Sequence, residues 1–126
     1  MMKALGLALL GAALATAAAA QPASQLTRCD MYKAWGCNVS GCHDVTTKAW
    51  SFIDWSAKDY QVCDASGCTH HRFEDWPDGI YRSLGFVGSD LMVKLNLTDM
   101  SVVETGTALS FSVTSFGNCT EAKGKP

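Results

Sequence analysis

The sequence predicts an all-β domain, and three observations predict it. Leu91 to Leu97 alternates strictly, with Leu91, Val93, Leu95 and Leu97 on one face and Met92, Lys94 and Asn96 on the other. Leu109 to Thr114 repeats the alternation, with Leu109, Phe111 and Val113 turned inward. Turn residues punctuate the chain about every ten residues, the spacing of consecutive antiparallel hairpins. After residue 21 no stretch holds a 3.6-residue apolar period with caps. The expected architecture is seven or eight short strands in a small antiparallel barrel or a two-sheet sandwich, stapled by disulfides.

The first twenty residues read as a secretory signal. Met1, Met2 and Lys3 form a basic start, Ala4 to Ala17 is an apolar run, and Ala18-Ala19-Ala20 supplies small residues for cleavage after Ala20. The fully apolar stretch is shorter than the roughly 18 to 20 residues a spanning helix needs, so no membrane anchor is expected after cleavage. Gln21 stands where a lipoprotein would need cysteine, and Arg28 precedes the first cysteine, Cys29. Removing the leader from 126 residues leaves 106, one small domain over residues 21–120 with a polar tail at 121–126. The destination expected is the periplasm or the medium, and the alanine-rich leader looks bacterial.

Nine basic against twelve acidic side chains give residues 21–126 a formal charge of −3. The charges are scattered singly, which argues against nucleic acid or an anionic membrane surface as partner.

From Lys48 onward the strands follow in order. Lys48 to Trp55 and Asp59 to Cys63 form a hairpin around Ser56-Ala57-Lys58, and Thr69 to Phe73 and Tyr81 to Val87 flank a loop containing Trp76-Pro77-Asp78-Gly79. Gly88-Ser89-Asp90, Thr98-Asp99-Met100 and Gly106-Thr107 are the joints around Leu91–Leu97, Ser101–Thr105 and Leu109–Thr114.

All six cysteines lie after the leader, and an even number in a short exported chain reads as a disulfide framework. Cys37-Asn-Val-Ser-Gly-Cys42 and Cys63-Asp-Ala-Ser-Gly-Cys68 repeat one pattern: Asn or Asp after the first cysteine, Ser-Gly before the second. Asn or Asp bonds the backbone two residues on, and Gly accepts positive φ, so each segment suits a tight turn closed by its own disulfide. Cys29 and Cys119 then pair across the chain. Loop entropy assigns about 2 kcal/mol to each short bridge and about 4 to 5 kcal/mol to the long one. The competing reading is a zinc site, since two C-x4-C pairs loosely resemble paired cysteine knuckles. The turn chemistry and an oxidising destination favour disulfides.

The cysteine pairs, the Ile53-Asp54-Trp55 to Tyr60 hairpin leading into Cys63 to Cys68, and the Phe116-Gly117-Asn118-Cys119 ending resemble small exported bacterial proteins of uncharacterised function. The resemblance implies fold and location and brings no activity with it. In size, export and inferred architecture the chain is also similar to the small β-barrel inhibitors that bacteria export against lysozymes, without their inhibitory motifs.

Few residues suggest chemistry. His70-His71 beside Glu74 and Asp75, with His43-Asp44 elsewhere, is the one cluster of metal-type or acid–base side chains. Adjacent histidines on a strand face opposite ways, so His70 and His71 do not serve one site without a bulge. His43 and His70 follow their cysteine turns at similar offsets, which leaves open a metal site or small hydrolase built from His43, His70 and a carboxylate. No G-x-S-x-G or H-E-x-x-H motif is present, and no cofactor is implied.

Aromatic residues point toward binding. If Ile53 and Trp55 face inward, Trp50 and Phe52 form an exposed aromatic pair suited to a protein or a sugar ring; a strand covered on both faces is the plain alternative. Trp35 and Trp76 are expected in loops, either capping the core or extending that surface. The function expected is a non-catalytic binding module for a protein, glycan or small ligand, with inhibition among its possible uses. The metal-binding or hydrolytic reading is the alternative.

Overall fold

A computed structural model describes residues 25–123 except 47 and 48. The expected leader, at 1–20, lies outside the described residues. Nine strands follow in chain order: β1 (Leu26–Asn38), β2 (Gly41–Val45), β3 (Trp50–Asp54), β4 (Asp59–Asp64), β5 (Gly67–Asp78), β6 (Tyr81–Phe86), β7 (Met92–Asn96), β8 (Ser101–Ala108) and β9 (Phe111–Glu121). Neighbours pair antiparallel from β3 through to β9, and β1 pairs with both β3 and β9. The sheet therefore closes into an eight-stranded barrel, and β2 is one further strand laid beside the far half of β1. Closure removes the open edges that a flat sheet of this size would expose.

The long β1 makes this arrangement possible. Its first five residues pair with β3 and its last five with β2, both on the same edge, while the opposite edge runs along β9. A bulge between Met31 and Lys33 leaves Tyr32 as the extra, exposed residue and bends the strand where its partner changes.

Residues directly opposite one another across a ladder share a face, so the registers identify the interior. Thr27, Ile53, Tyr60 and His71 form one inward row, and Cys29, Ser51, Val62 and Thr69 the next. Val102, Leu95 and Arg82 form a third row, and Ser115, Glu104, Val93, Leu84 and Asp75 a fourth. Ile53, Trp55, Tyr60, Phe73, Leu84, Val93, Leu95 and Val102 pack with the Cys29–Cys119 bridge as the core. The ring of Trp55 stands edge-on to Phe73, 5.9 Å between centroids, and its indole N–H donates to Thr27 Oγ1 at 3.0 Å. Gly117 lies where any Cβ would come within 2.6 Å of the Asp30 carbonyl oxygen and 2.8 Å of Met31 sulfur, which allows β9 to close tightly on β1.

The two repeated cysteine segments are hairpin tips. Asn38 Oδ1 accepts from the Ser40 N–H at 2.8 Å and Asp64 Oδ1 from the Ser66 N–H at 2.7 Å, while Gly41 and Gly67 take φ of 125° and 141°. Cys37–Cys42 and Cys63–Cys68 then bridge directly opposed positions, and Cys29–Cys119 does the same between β1 and β9. Three bridges are consistent with an oxidising compartment.

Three expectations about elements are corrected. The loop expected around Trp76 to Gly79 is strand as far as Asp78, since β5 pairs with β6 through Asp78↔Tyr81 and turns only at Gly79. The turn expected at Gly106-Thr107 lies instead at Leu109-Ser110, because β8 and β9 stay paired out to Ala108↔Phe111. Leu109, expected to point inward, therefore sits in that turn with φ of 50°, fully exposed. Of the expected polar tail, Glu121 belongs to β9, and the Ala122 N–H donates to the Leu26 carbonyl at 2.9 Å.

Candidate functional site

The two halves of the barrel interior differ. At the end carrying Trp55 and the start of β6, the inward residues Thr27, Ile53, Trp55, Phe73, Leu84, Leu95 and Val102 are all buried. Arg82 lies among them, and Asp75 binds it at 3.3 Å (Nη1 to Oδ2) as well as the Lys58 ammonium. This end is filled, and its charges are neutralised in place.

Toward the other end the inward positions carry smaller or half-exposed side chains. Val62, His71, Phe86, Gly106 and Val113 are all partly open to solvent although their registers turn them into the barrel, and so is Leu91, which precedes β7 in phase with Val93 and packs against the core. An eight-stranded barrel is just wide enough to be filled by its side chains or to hold one small ligand. Here one half is filled; the other, called the cup, is lined by partly exposed side chains on β4 to β9, while the Phe111 ring covers the buried Gly36 on the β1 side. Two depressions flank its rim, one of about 350 Å³ against the Cys63–Cys68 hairpin and Ala49, the other of about 400 Å³ between the tips of the β1–β2 and β8–β9 hairpins.

The floor of the cup is polar. Glu104, brought in by β8, is half-buried and accepts from both the Tyr60 hydroxyl on β4 and the Ser51 hydroxyl on β3, the latter at 3.4 Å, each through Oε2. Tyr60 and Ser51 are fully buried, so this layer spans the barrel between its filled and open halves. Burial pushes the Tyr60 hydroxyl well above its ordinary range, and the adjacent Glu104 charge pushes it further. Tyr60 therefore stays a hydrogen-bond donor. Above it Phe86 stands edge-on to Tyr60 (5.4 Å) and to His71 (6.1 Å), giving the cup an aromatic wall.

The histidines considered as metal ligands are dispersed. His43 sits on β2 opposite Gly36, 6.5 Å from the Phe111 ring. His70 lies on the outer wall with Nδ1 2.8 Å from Asp59 Oδ2, and His71 lies on the inner wall. The expected convergence of His43 and His70 is thus corrected: β1, β3 and β4 stand between their strands. Among the described residues no three His, Cys, Asp or Glu side chains group as metal ligands.

The aromatic candidates are also redistributed. Ile53 and Trp55 do face inward, but Trp50 and Phe52 are not an exposed pair. Phe52 is buried and Trp50 half-buried, because the Arg28 guanidinium, held by Asp30, lies over both rings at 5.5 and 5.6 Å. Trp35 and Trp76 stand on strands rather than in loops and are 46% exposed. Trp35 carries Lys33 over its ring, and Trp76 lies across Gly85. These tryptophans occupy β1 and β5 and make no shared surface with Trp50 on β3 through ring contact.

Glu104, Tyr60 and Ser51 went unrecognised as site residues in the sequence. One signal was present: Glu104 stands in phase with Val102, an acidic residue on the core side of a strand. Comparison with known proteins finds no matching family model, no matching curated protein and no matching solved structure.

Proposed function

We propose that this chain is an exported, non-catalytic binding module of the periplasm or the medium that takes a small ligand into the open half of its barrel. The observation that carries this reading is the contrast within one interior: buried, interlocked side chains in one half, and half-exposed ones above a convergent polar layer in the other. A mainly apolar concavity with a few placed polar groups is the usual form of a small-molecule site, and the mouth of a β-barrel is a usual place for one. The outward positions carry scattered charge (Arg28, Asp30, Asp59, His70, Lys94), while the inward rows are mainly apolar with a few placed polar and charged groups, as suits a barrel bathed in water.

The test is a fragment screen on the oxidised chain by amide chemical-shift mapping. Ligands of the proposed kind move the resonances of Val62, His71, Leu91 and Gly106 together. Shifts confined to the outer wall around Trp35 or Trp76 would replace the cup with a surface site for a protein or glycan.

A further inference from the structure

Among the described residues two carboxylates on the inward rows are partly buried, Asp75 and Glu104, and they are treated differently. Asp75, in the filled half, is bound by two cations, Lys58 and Arg82. Glu104, at the floor of the cup, has two neutral hydroxyl donors on Oε2 and belongs to none of the ion pairs among the described residues. The inward side chains around the cup, Val62, Thr69, His71, Phe86, Leu91 and Val113, include no lysine or arginine. Charges withdrawn from water are ordinarily matched by a counter-charge, because desolvation is otherwise uncompensated.

Resting on the cup reading above, we infer that the ligand carries an ammonium or guanidinium group, which donates to Glu104 Oε1 while its apolar part lies along Phe86, Val62 and Leu91. Tyr60 and Ser51 are positioning residues: both hydroxyls hold Oε2, which leaves Oε1 as the oxygen offered to the ligand. Phe86 adds a π face within the same cup, which favours a cation with attached carbon over a bare metal ion. The charge-assisted bond accounts for selectivity, and the apolar wall supplies contact area.

Three probes with one carbon skeleton test this: phenethylamine, 2-phenylethanol and phenylacetate, each titrated into the oxidised wild-type chain and followed at the Val62 and Gly106 amides. The amine is expected to bind at least about tenfold more tightly than the alcohol, and the acid more weakly than either. Glu104→Gln keeps an oxygen that accepts from Tyr60 and Ser51 and is expected to abolish the preference for the amine. Its folding is checked by the hydrogen-bonded Trp55 indole N–H resonance, and the wild-type comparison decides the question even if that variant does not fold. Equal binding of amine and alcohol in the cup would overturn the cation inference and leave the cup standing. Cup resonances unmoved by all three probes would overturn both, and amine binding only at Trp35 or Trp76 would overturn the inference in favour of the outer wall.

Discussion

Cys29 and Cys119 face each other directly across β1 and β9 with their Cα atoms 3.9 Å apart, although 90 residues separate them in the chain. Their bridge is buried in the core and ties together the two strands whose pairing closes the barrel. Loop entropy and closure thus act at the same place. Replacing both with alanine is expected to lower stability by about 4 to 5 kcal/mol, against about 2 kcal/mol for the Cys63→Ala, Cys68→Ala pair. Urea midpoints of the two double variants check the ranking, which reverses if barrel closure is already secured by β1–β9 packing.

Thr27 is fully buried, and its hydroxyl accepts the one indole N–H that the core contains, from Trp55. Thr27→Val keeps the shape and strands that donor. The expected cost is about 1 to 3 kcal/mol, read as a lower urea midpoint with an unchanged slope.

Gly117 and Gly85 both sit under close neighbours, of different kinds. A methyl group at Gly117 would meet the backbone oxygen of Asp30, which is locked in the β1–β9 ladder. At Gly85 it would meet the outer end of the half-exposed Trp76 ring, which has solvent to move into. Gly117→Ala is expected to destabilise by about 1 to 3 kcal/mol, and Gly85→Ala by less, with a red-shifted Trp76 emission as its signature. Equal melting midpoints for the two would refute the distinction.

Tyr60 holds its proton more tightly in the folded chain than the ordinary value of 10.0. The unfolded chain therefore releases this proton first as pH rises. The contribution is fully present below about pH 10 and is lost as pH climbs from there toward the folded value. Stability should fall with rising pH in that alkaline window, and the fall should be shallower in Tyr60→Phe. A wild-type and variant pair with parallel alkaline profiles would contradict the assignment.

Much of the fold was legible in the chain. The alternation of Leu91 to Leu97 placed Val93 and Leu95 in the core, and the matching Asn/Asp and Ser-Gly positions identified both cysteine hairpins. The course of β5 through Trp76 and Pro77 was not legible. Pro77 and Gly79 are turn-formers, yet the ladder to β6 accommodates Pro77 opposite Arg82 and turns only after Asp78. Leu109 deceived for a related reason: it extends the alternation of Phe111 and Val113, but a two-residue turn claimed it.

The candidate site was less legible than the fold. Tyr60 and Ser51 lie 44 and 53 residues from Glu104, and only closure of the barrel sets them facing one carboxylate oxygen. Likewise Trp50 and Phe52 pass for an exposed pair until β1 lays Arg28 across them.

By itself the sequence determined the class of fold, the tips of the two cysteine hairpins and the partners of the short disulfides, because alternation and turn chemistry act between residues a few positions apart. The tertiary structure decided which face of each strand became interior, where β1 met β9, and which polar groups came to face one another. Those outcomes depend on contacts between strands distant in the chain, and no local preference encodes which distant strand a given residue will face.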